Sequence, residues 1–251
     1  MSGHSKWSQI RRQKGVNDSK RGQLFTKLGR EITVAARSGT PDPDANFRLR
    51  LAVQKARESN MPADNIQRAI QRAAGIGEGA SLDEIVYEGY GPSGVAVLVE
   101  AMTDNRNRTV AEVRNVFSRH GGNLGETGSV AWMFEPRGVI SIDADGHNAE
   151  DIELAAIDAG ATDVVVDGGD VTVYTDSGAL DGVRRALADR YKIVDAETTV
   201  VPQTTVDLDN QKATQILKLI ERLEDLDDVQ RVHANVEFND EMMAEYENAS
   251  R

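Results

Sequence analysis

The first 30 residues hold eight cationic side chains, Lys6, Arg11, Arg12, Lys14, Lys20, Arg21, Lys27 and Arg30, with Asp18 as the one acid among them. Cations at this density suit contact with the phosphates of a polyanion, where each neutralised phosphate releases counterions. Trp7 and His4 stand inside the same stretch. An indole there can stack on an unpaired base, worth about 1–3 kcal/mol. The candidate nucleic-acid contacts are therefore His4, Lys6, Trp7, Arg11, Arg12, Lys14, Lys20, Arg21, Lys27 and Arg30. The plainer alternatives are a solubilising basic tail, and a Trp7–Ile10 pair that pins the tail against the helical domain.

A second candidate contact is the pair Arg106 and Arg108 in "TDNRNRT". Planar guanidinium groups match phosphate oxygens bidentately. Two surface arginines balancing nearby carboxylates would explain the same residues equally well.

Catalytic constellations are not found. "HGGNLGETGS" at 120–129 is rich in glycine but lacks both G-x-x-x-x-G-K-[ST] and G-x-G-x-x-G. A tight connection with positive φ at Gly121 or Gly122 accounts for it better than a phosphate loop. "DADGHNAED" at 143–151 does not fit an EF-hand, so a strand-to-helix turn is expected. "EDLDD" at 224–228 reads as a solvated helix end. With no cysteine, disulfides, thiolate metal sites and a cysteine nucleophile are excluded, and four scattered histidines do not build a metal centre. No enzyme activity, metal or cofactor is expected.

The charge is divided along the chain. Residues 1–75 carry 15 Lys/Arg against 6 Asp/Glu, a net of +9, whereas residues 76–251 carry 14 against 35, a net of −21. A basic part joined to an acidic body is the asymmetry of a protein that seeks a polyanion with one end and repels it with the other. No apolar run approaches the roughly 18–20 residues of a membrane span, and no apolar stretch follows the first charges as in a secretory signal. A soluble, cytoplasmic monomer without membrane contact is expected.

The periodicity supplies the frame for these residues. In 18–39 the apolar residues Leu24, Phe25, Leu28, Ile32, Ala35 and Ala36 recur at three and four, one face of a helix. "TPDPDA" breaks the chain, and helices resume over "NFRLRLAVQKARESN" and "MPADNIQRAIQRAAG", the last ended by Gly75. No turn signature makes these a helix-turn-helix. "GIGEGAS" at 75–81 is the linker candidate.

Beyond it the order is ββαβ, with a capping box of Thr109 and Glu112 opening the helix and "SVAWMFE" as a strand. Residues 138–200 spell βαββαβ, the ferredoxin-like order. A helix and a strand then remain without a sheet of their own. The expected fold class is α+β in three domains: a basic tail and three-helix bundle at 1–75, and two ferredoxin-like α/β domains. The first of these is discontinuous, 82–135 plus 205–238, and 138–200 is inserted in it.

Several stretches together resemble one family. "GHSKWSQIRRQKGVNDSKRGQLFTKLGREI", "NMPADNIQRAI", "YEGYGPSGVAV", "TDNRNRTVAEVR" and "GGNLGETGSVAWMF" look like the signature segments of the YebC/PmpR family, from residue 3 to about 238. That family includes the mitochondrial translational activator of cytochrome c oxidase subunit I. The resemblance implies three domains and no catalytic residues. It also implies DNA-binding transcriptional regulation in bacteria, or action at the ribosome easing synthesis through proline-rich stretches.

Three readings fit these residues. One is a ribosome-associated translation factor whose basic arm contacts ribosomal RNA, with basic ribosomal proteins as further partners. The alternative is a DNA-binding transcriptional regulator, and the third is an acidic protein–protein adaptor. The acidic body and the missing recognition helix favour RNA over duplex DNA.

Overall fold

A computed structural model describes residues 18–73, 82–167 and 169–249 of the chain. The proposed linker and Gly75 lie outside the described residues. The molecule divides into two compact units. One holds the described residues up to Ser129 together with Gln215–Val232; the other holds Val130–Thr214 and the described residues from His233 onward. Among the described residues, no helix is long and apolar enough to cross a membrane.

The first unit begins with three helices, α1 (Asp18–Arg37), α2 (Phe47–Glu58) and α3 (Ala63–Ala73). Their period-3.6 stripes converge on one core of Leu28, Ile32, Ala35 and Ala36, with Leu49, Ala52, Val53 and Ala56, closed by Met61, Ile66 and Ala69. Fully burying an Ile or Leu of this set contributes about 1.5–3 kcal/mol.

Asn46 explains where α2 starts. Its side-chain oxygen caps the Leu49 N–H at 3.1 Å, while its amide donates to the Ala35 and Thr40 carbonyls at 2.8 and 2.9 Å. One side chain thus opens a helix and ties down the end of the preceding one. The turn into α3 passes through Asn60 at φ 57, a left-handed position that Asn tolerates.

The same unit then builds a sheet from β1 (Asp83–Tyr90), β2 (Ala96–Thr103), β3 (Asn123–Leu124) and β8 (Val229–Ala234). The strands lie in the order β3-β1-β2-β8. Strands β1 and β2 pair antiparallel from Asp83↔Thr103 to Tyr90↔Ala96. The turn between them places Ser93 and Gly94 at positive φ. The short β3 pairs with β1, and β8 adds to β2. Seven of the eight residues of β2 are buried, on both faces of the strand, and only Glu100 is partly exposed, so its sequence is mostly apolar rather than alternating.

Helix α4 (Arg106–Arg119) follows β2. It does not open on a capping box at Thr109 and Glu112. Asn105 is the cap, accepting from the Arg108 N–H at 3.1 Å, and Thr109 is fully buried one turn inside. After α4, Gly121 takes φ +75 and Gly122 packs its Cα against the Tyr90 carbonyl, where a Cβ would come within 2.6 Å. Helix α7 (Asn210–Glu224) is the later helix that packs here, its Ile216 and Leu219 meeting Gly91.

The second unit opens with a 3-10 turn over Ala131–Met133, not with a strand. The strand β4 starts only at Phe134 and runs to Asp143, and Trp132 is 67% exposed. Helix α5 (Ala149–Asp158), strands β5 (Asp163–Asp167) and β6 (Asp170–Thr175), helix α6 (Leu180–Ala188) and strand β7 (Lys192–Pro202) complete βαββαβ. The strand order β5-β6-β4-β7 is that of two interleaved split βαβ motifs, the ferredoxin-like arrangement.

The unit ends in a helix that the periodicity did not announce, α8 (Asp240–Ala249), which buries Met242, Met243 and Tyr246. The chain is α+β, with a helical bundle and two four-stranded sheets among the described residues.

Candidate nucleic-acid interface

The candidate residues fall into three groups. His4, Lys6, Trp7, Arg11, Arg12 and Lys14 lie outside the described residues. Lys20 falls in the first turn of α1, and Arg21 is exposed with its guanidinium 5.9 Å from the centre of the Phe25 ring. Lys27 and Arg30 are directed inward.

Helical spacing explains the last group. Gln23, Lys27 and Arg30 recur at four and three residues and so share one face of α1. That face meets the segment "EDLDD" at the end of α7. Gln23 donates to the Asp225 carbonyl and to the Asp227 carboxylate, Lys27 to the Glu224 carbonyl, and Arg30 to the Asp227 carbonyl. The last carbonyls of a helix carry its negative dipole end and lack intrahelical donors, so cations suit them. "EDLDD" is therefore not a solvated helix end: Glu224 and Asp228 are buried, at 7% and 2% exposure.

Asp228 is the centre of this arrangement. Its carboxylate accepts from Arg30 at 2.8 Å and from the hydroxyls of Thr109 and Thr103 at 2.6 and 3.0 Å. Arg108 Nη2 reaches its two oxygens at 3.0 and 2.7 Å. Its backbone carbonyl accepts from the Met102 N–H. Burial alone would raise this carboxyl. The hydroxyl of Thr109, the guanidinium of Arg108, the hydroxyl of Thr103 and the charge of Arg30 outweigh it and hold the group below the ordinary carboxylate value. Arg108 is held correspondingly above its ordinary value, by Asp228 first and then by Asp104, with which it pairs at 2.8 Å.

Arg106 points elsewhere. Its Nε donates to Asp83 at 2.8 Å across an exposed surface, which lowers the Asp83 carboxyl and raises the guanidinium. Arg48 makes a similar exposed pair with Glu84 at 2.7 Å. Both arginines of "TDNRNRT" thus have carboxylate partners, on different acids: Arg108 joins the Asp228 centre, while Arg106 keeps 67% of its side chain exposed.

The glycine-rich loop 121–128 is held by an acid of β1, Glu88. Gly128 N–H donates to Glu88 Oε1 at 2.7 Å, and Gly125 N–H to the Glu88 carbonyl at 2.8 Å. Glu88 is 4% exposed, so the Gly128 N–H is already taken by a buried carboxylate. In the other unit, "DADGHNAED" is a turn. Asp143 accepts from the Asp145 N–H at 3.1 Å and pairs with Lys192 at 2.6 Å, and Asn148 caps α5. Among the described residues, no group of three or more His, Cys, Asp or Glu is disposed to hold a metal ion.

Sequence reasoning missed Asp228, Thr103, Thr109 and Gln23 as members of one network. The run of carboxylates at 224–228 was the available signal, but the partners lie 119 to 204 residues away along the chain.

The chain matches two family descriptions. Residues 5–76 match the TACO1/YebC protein N-terminal domain, and residues 82–236 match the TACO1/YebC second and third domain. It is 54% identical over 248 residues to a probable transcriptional regulatory protein of Herpetosiphon aurantiacus, with 98% of each chain covered. A protein of the same description from Chloroflexus aurantiacus is 55% identical over 251 residues, covering 98% of this chain and 100% of that one. The fold is similar to the crystal structure of a conserved hypothetical protein from Aquifex aeolicus, with TM-score 0.82 and 46% identity. That match covers 89% of this chain and 93% of the other. Matched in sequence along nearly its whole length, the chain belongs to the TACO1/YebC family.

Proposed function

We propose that this protein is a non-enzymatic regulator of gene expression that binds nucleic acid through its basic N-terminal arm, with ribosomal RNA as the ligand. The observation that carries the reading is the charge division: +9 over residues 1–75 and −21 over the remainder. An acidic body resists lying along a duplex, whereas an arm reaching into folded RNA needs only local contact. The contact residues in this reading are His4, Lys6, Trp7, Arg11, Arg12, Lys14, Lys20 and Arg21, with Arg106 as a second contact. Lys27, Arg30 and Arg108 position the helix and loop that carry them. The functional division in this reading is a basic tail and three-helix domain at 1–75, a discontinuous α/β domain of 82–135 plus 205–238, and an inserted domain at 138–200. The protein acts in the cytoplasm as a monomer.

A duplex-DNA reading is favoured by one specific finding: the similar proteins of Herpetosiphon and Chloroflexus are described as probable transcriptional regulatory proteins. Indirect readout of DNA shape would need no recognition helix. Co-sedimentation with intact ribosomes separates the two. The full chain, and a chain lacking residues 1–17, are spun with ribosomes in the presence of promoter-length duplex DNA. Pelleting of the full chain alone, undisturbed by DNA, supports the RNA reading; release by DNA, or no pelleting, gives the arm to the duplex.

A further inference from the structure

Helix α5 and strand β5 each expose apolar side chains within an acidic stretch of the chain. Asn148 caps α5 by accepting from the Glu150 N–H, and the helix then places Ile152 and Ala156, four apart, fully buried. The same geometry leaves Leu154 and Ile157, three apart, at 62% and 54% exposure. Polar residues are the rule on the outer face of such a helix.

The sheet edge beside the helix layer continues the apolar character. A Cβ on Gly138 would meet Leu180 of α6, so Gly138, Ile140 and Ile142 face the helices. Ile142 pairs with Val171, and Val171 with Val166, so Val166 lies on that same helix-covered face. It belongs to the outermost strand, β5, and is 44% exposed. From Ala149 to Asp170 the sequence holds seven carboxylates and no Lys or Arg.

We propose that the outer face of α5 with the edge of β5 is a docking surface for a Lys/Arg-rich amphipathic segment of a partner protein. The apolar side chains would be covered by two or three apolar residues of the segment, and its flanking cations would meet the carboxylates. A nucleic acid or an anionic lipid surface is repelled by the same charge. The inference is independent of the arm's ligand, since it concerns the other end of the charge division.

The test uses the full chain and a short synthetic Leu/Lys peptide with helical periodicity, against a scrambled peptide of identical composition, at about 0.15 M salt. The periodic peptide is expected to bind about tenfold more tightly than the scramble, a difference of roughly 1.4 kcal/mol. Leu154→Ser with Ile157→Ser removes that preference, and Glu153→Lys weakens both peptides. Val86→Ser, an equally exposed apolar residue of the other unit, changes nothing. Equal binding of the two peptides, undiminished binding by the double serine variant, or no binding at all overturns the proposal.

Discussion

The Arg108 guanidinium and the Asp228 carboxylate, 120 residues apart in the chain, meet at 2.7 Å with Asp228 only 2% exposed. The pair joins the start of α4 to the loop between α7 and β8. Arg30 of α1 enters the same carboxylate, so one buried acid holds three separate chain segments. A buried charge of this kind does not by itself argue for stability, because its desolvation opposes the Coulombic gain. Removing the acid is another matter: it leaves the Thr103 and Thr109 hydroxyls buried and the mostly buried Arg30 unmatched.

Asp228→Asn therefore is expected to destabilise the unit by roughly 2–3 kcal/mol, less than a fully buried pair because the Arg108 side chain stays 42% exposed and can be rehydrated. Thr109→Val, which deletes the 2.6 Å hydroxyl contact to the same carboxylate, is expected to cost about 1.5 kcal/mol. Urea denaturation of both variants checks this; unchanged midpoints would mean that water replaces the network without loss.

The acid limb of stability carries the same signature. Asp228 titrates lower in the folded protein than in the unfolded chain. Its contribution is fully present above the ordinary carboxylate value of about 4, and is lost as pH falls through the folded value. The stability gap between the parent protein and Asp228→Asn should thus be constant near neutrality and close below about pH 4. A gap that persists undiminished into strong acid would show that the effect is packing rather than charge.

Lys27 and Arg30 separate structural from binding cations. Lys27→Ala with Arg30→Ala is expected to lower the melting temperature while changing affinity for ribosomes by less than about twofold, since both side chains already serve the end of α7. Alanines at Lys6, Arg11, Arg12 and Lys14 should do the reverse. If all four meet phosphates of single-stranded RNA, the log–log salt slope falls in magnitude by about 3. The opposite assignment of the two phenotypes would move the interface onto α1.

The glycine-rich loop gives a last, purely steric test. Gly122→Ala drives a Cβ to 2.6 Å from the Tyr90 carbonyl, a backbone atom that cannot rotate away, and should cost about 1–3 kcal/mol. Gly121→Ala meets open space apart from Pro92 at 3.6 Å, but must hold φ +75, for about 1–2 kcal/mol. Wild-type stability in Gly122→Ala would require that β1 and the loop part.

Much of the fold was legible because helix and strand periods are local. The stripe Leu28, Ile32, Ala35, Ala36 announces α1, and βαββαβ at 138–200 follows from alternating periods and turn residues. Local rules also failed where tertiary contact overrides them. Thr109 and Glu112 satisfy a capping pattern, yet Thr109 is drawn one turn inward to Asp228, and the apolar "SVAW" becomes a turn with its Trp outside. The sequence by itself determined how much charge the protein carries and at which end, since composition needs no partner. Only the tertiary structure decided which of those charges are still available. A cation is neutralised by whatever carboxylate the fold brings within about 4 Å, and for Arg30 and Arg108 that is Asp228, reached only when distant segments of the chain pack together.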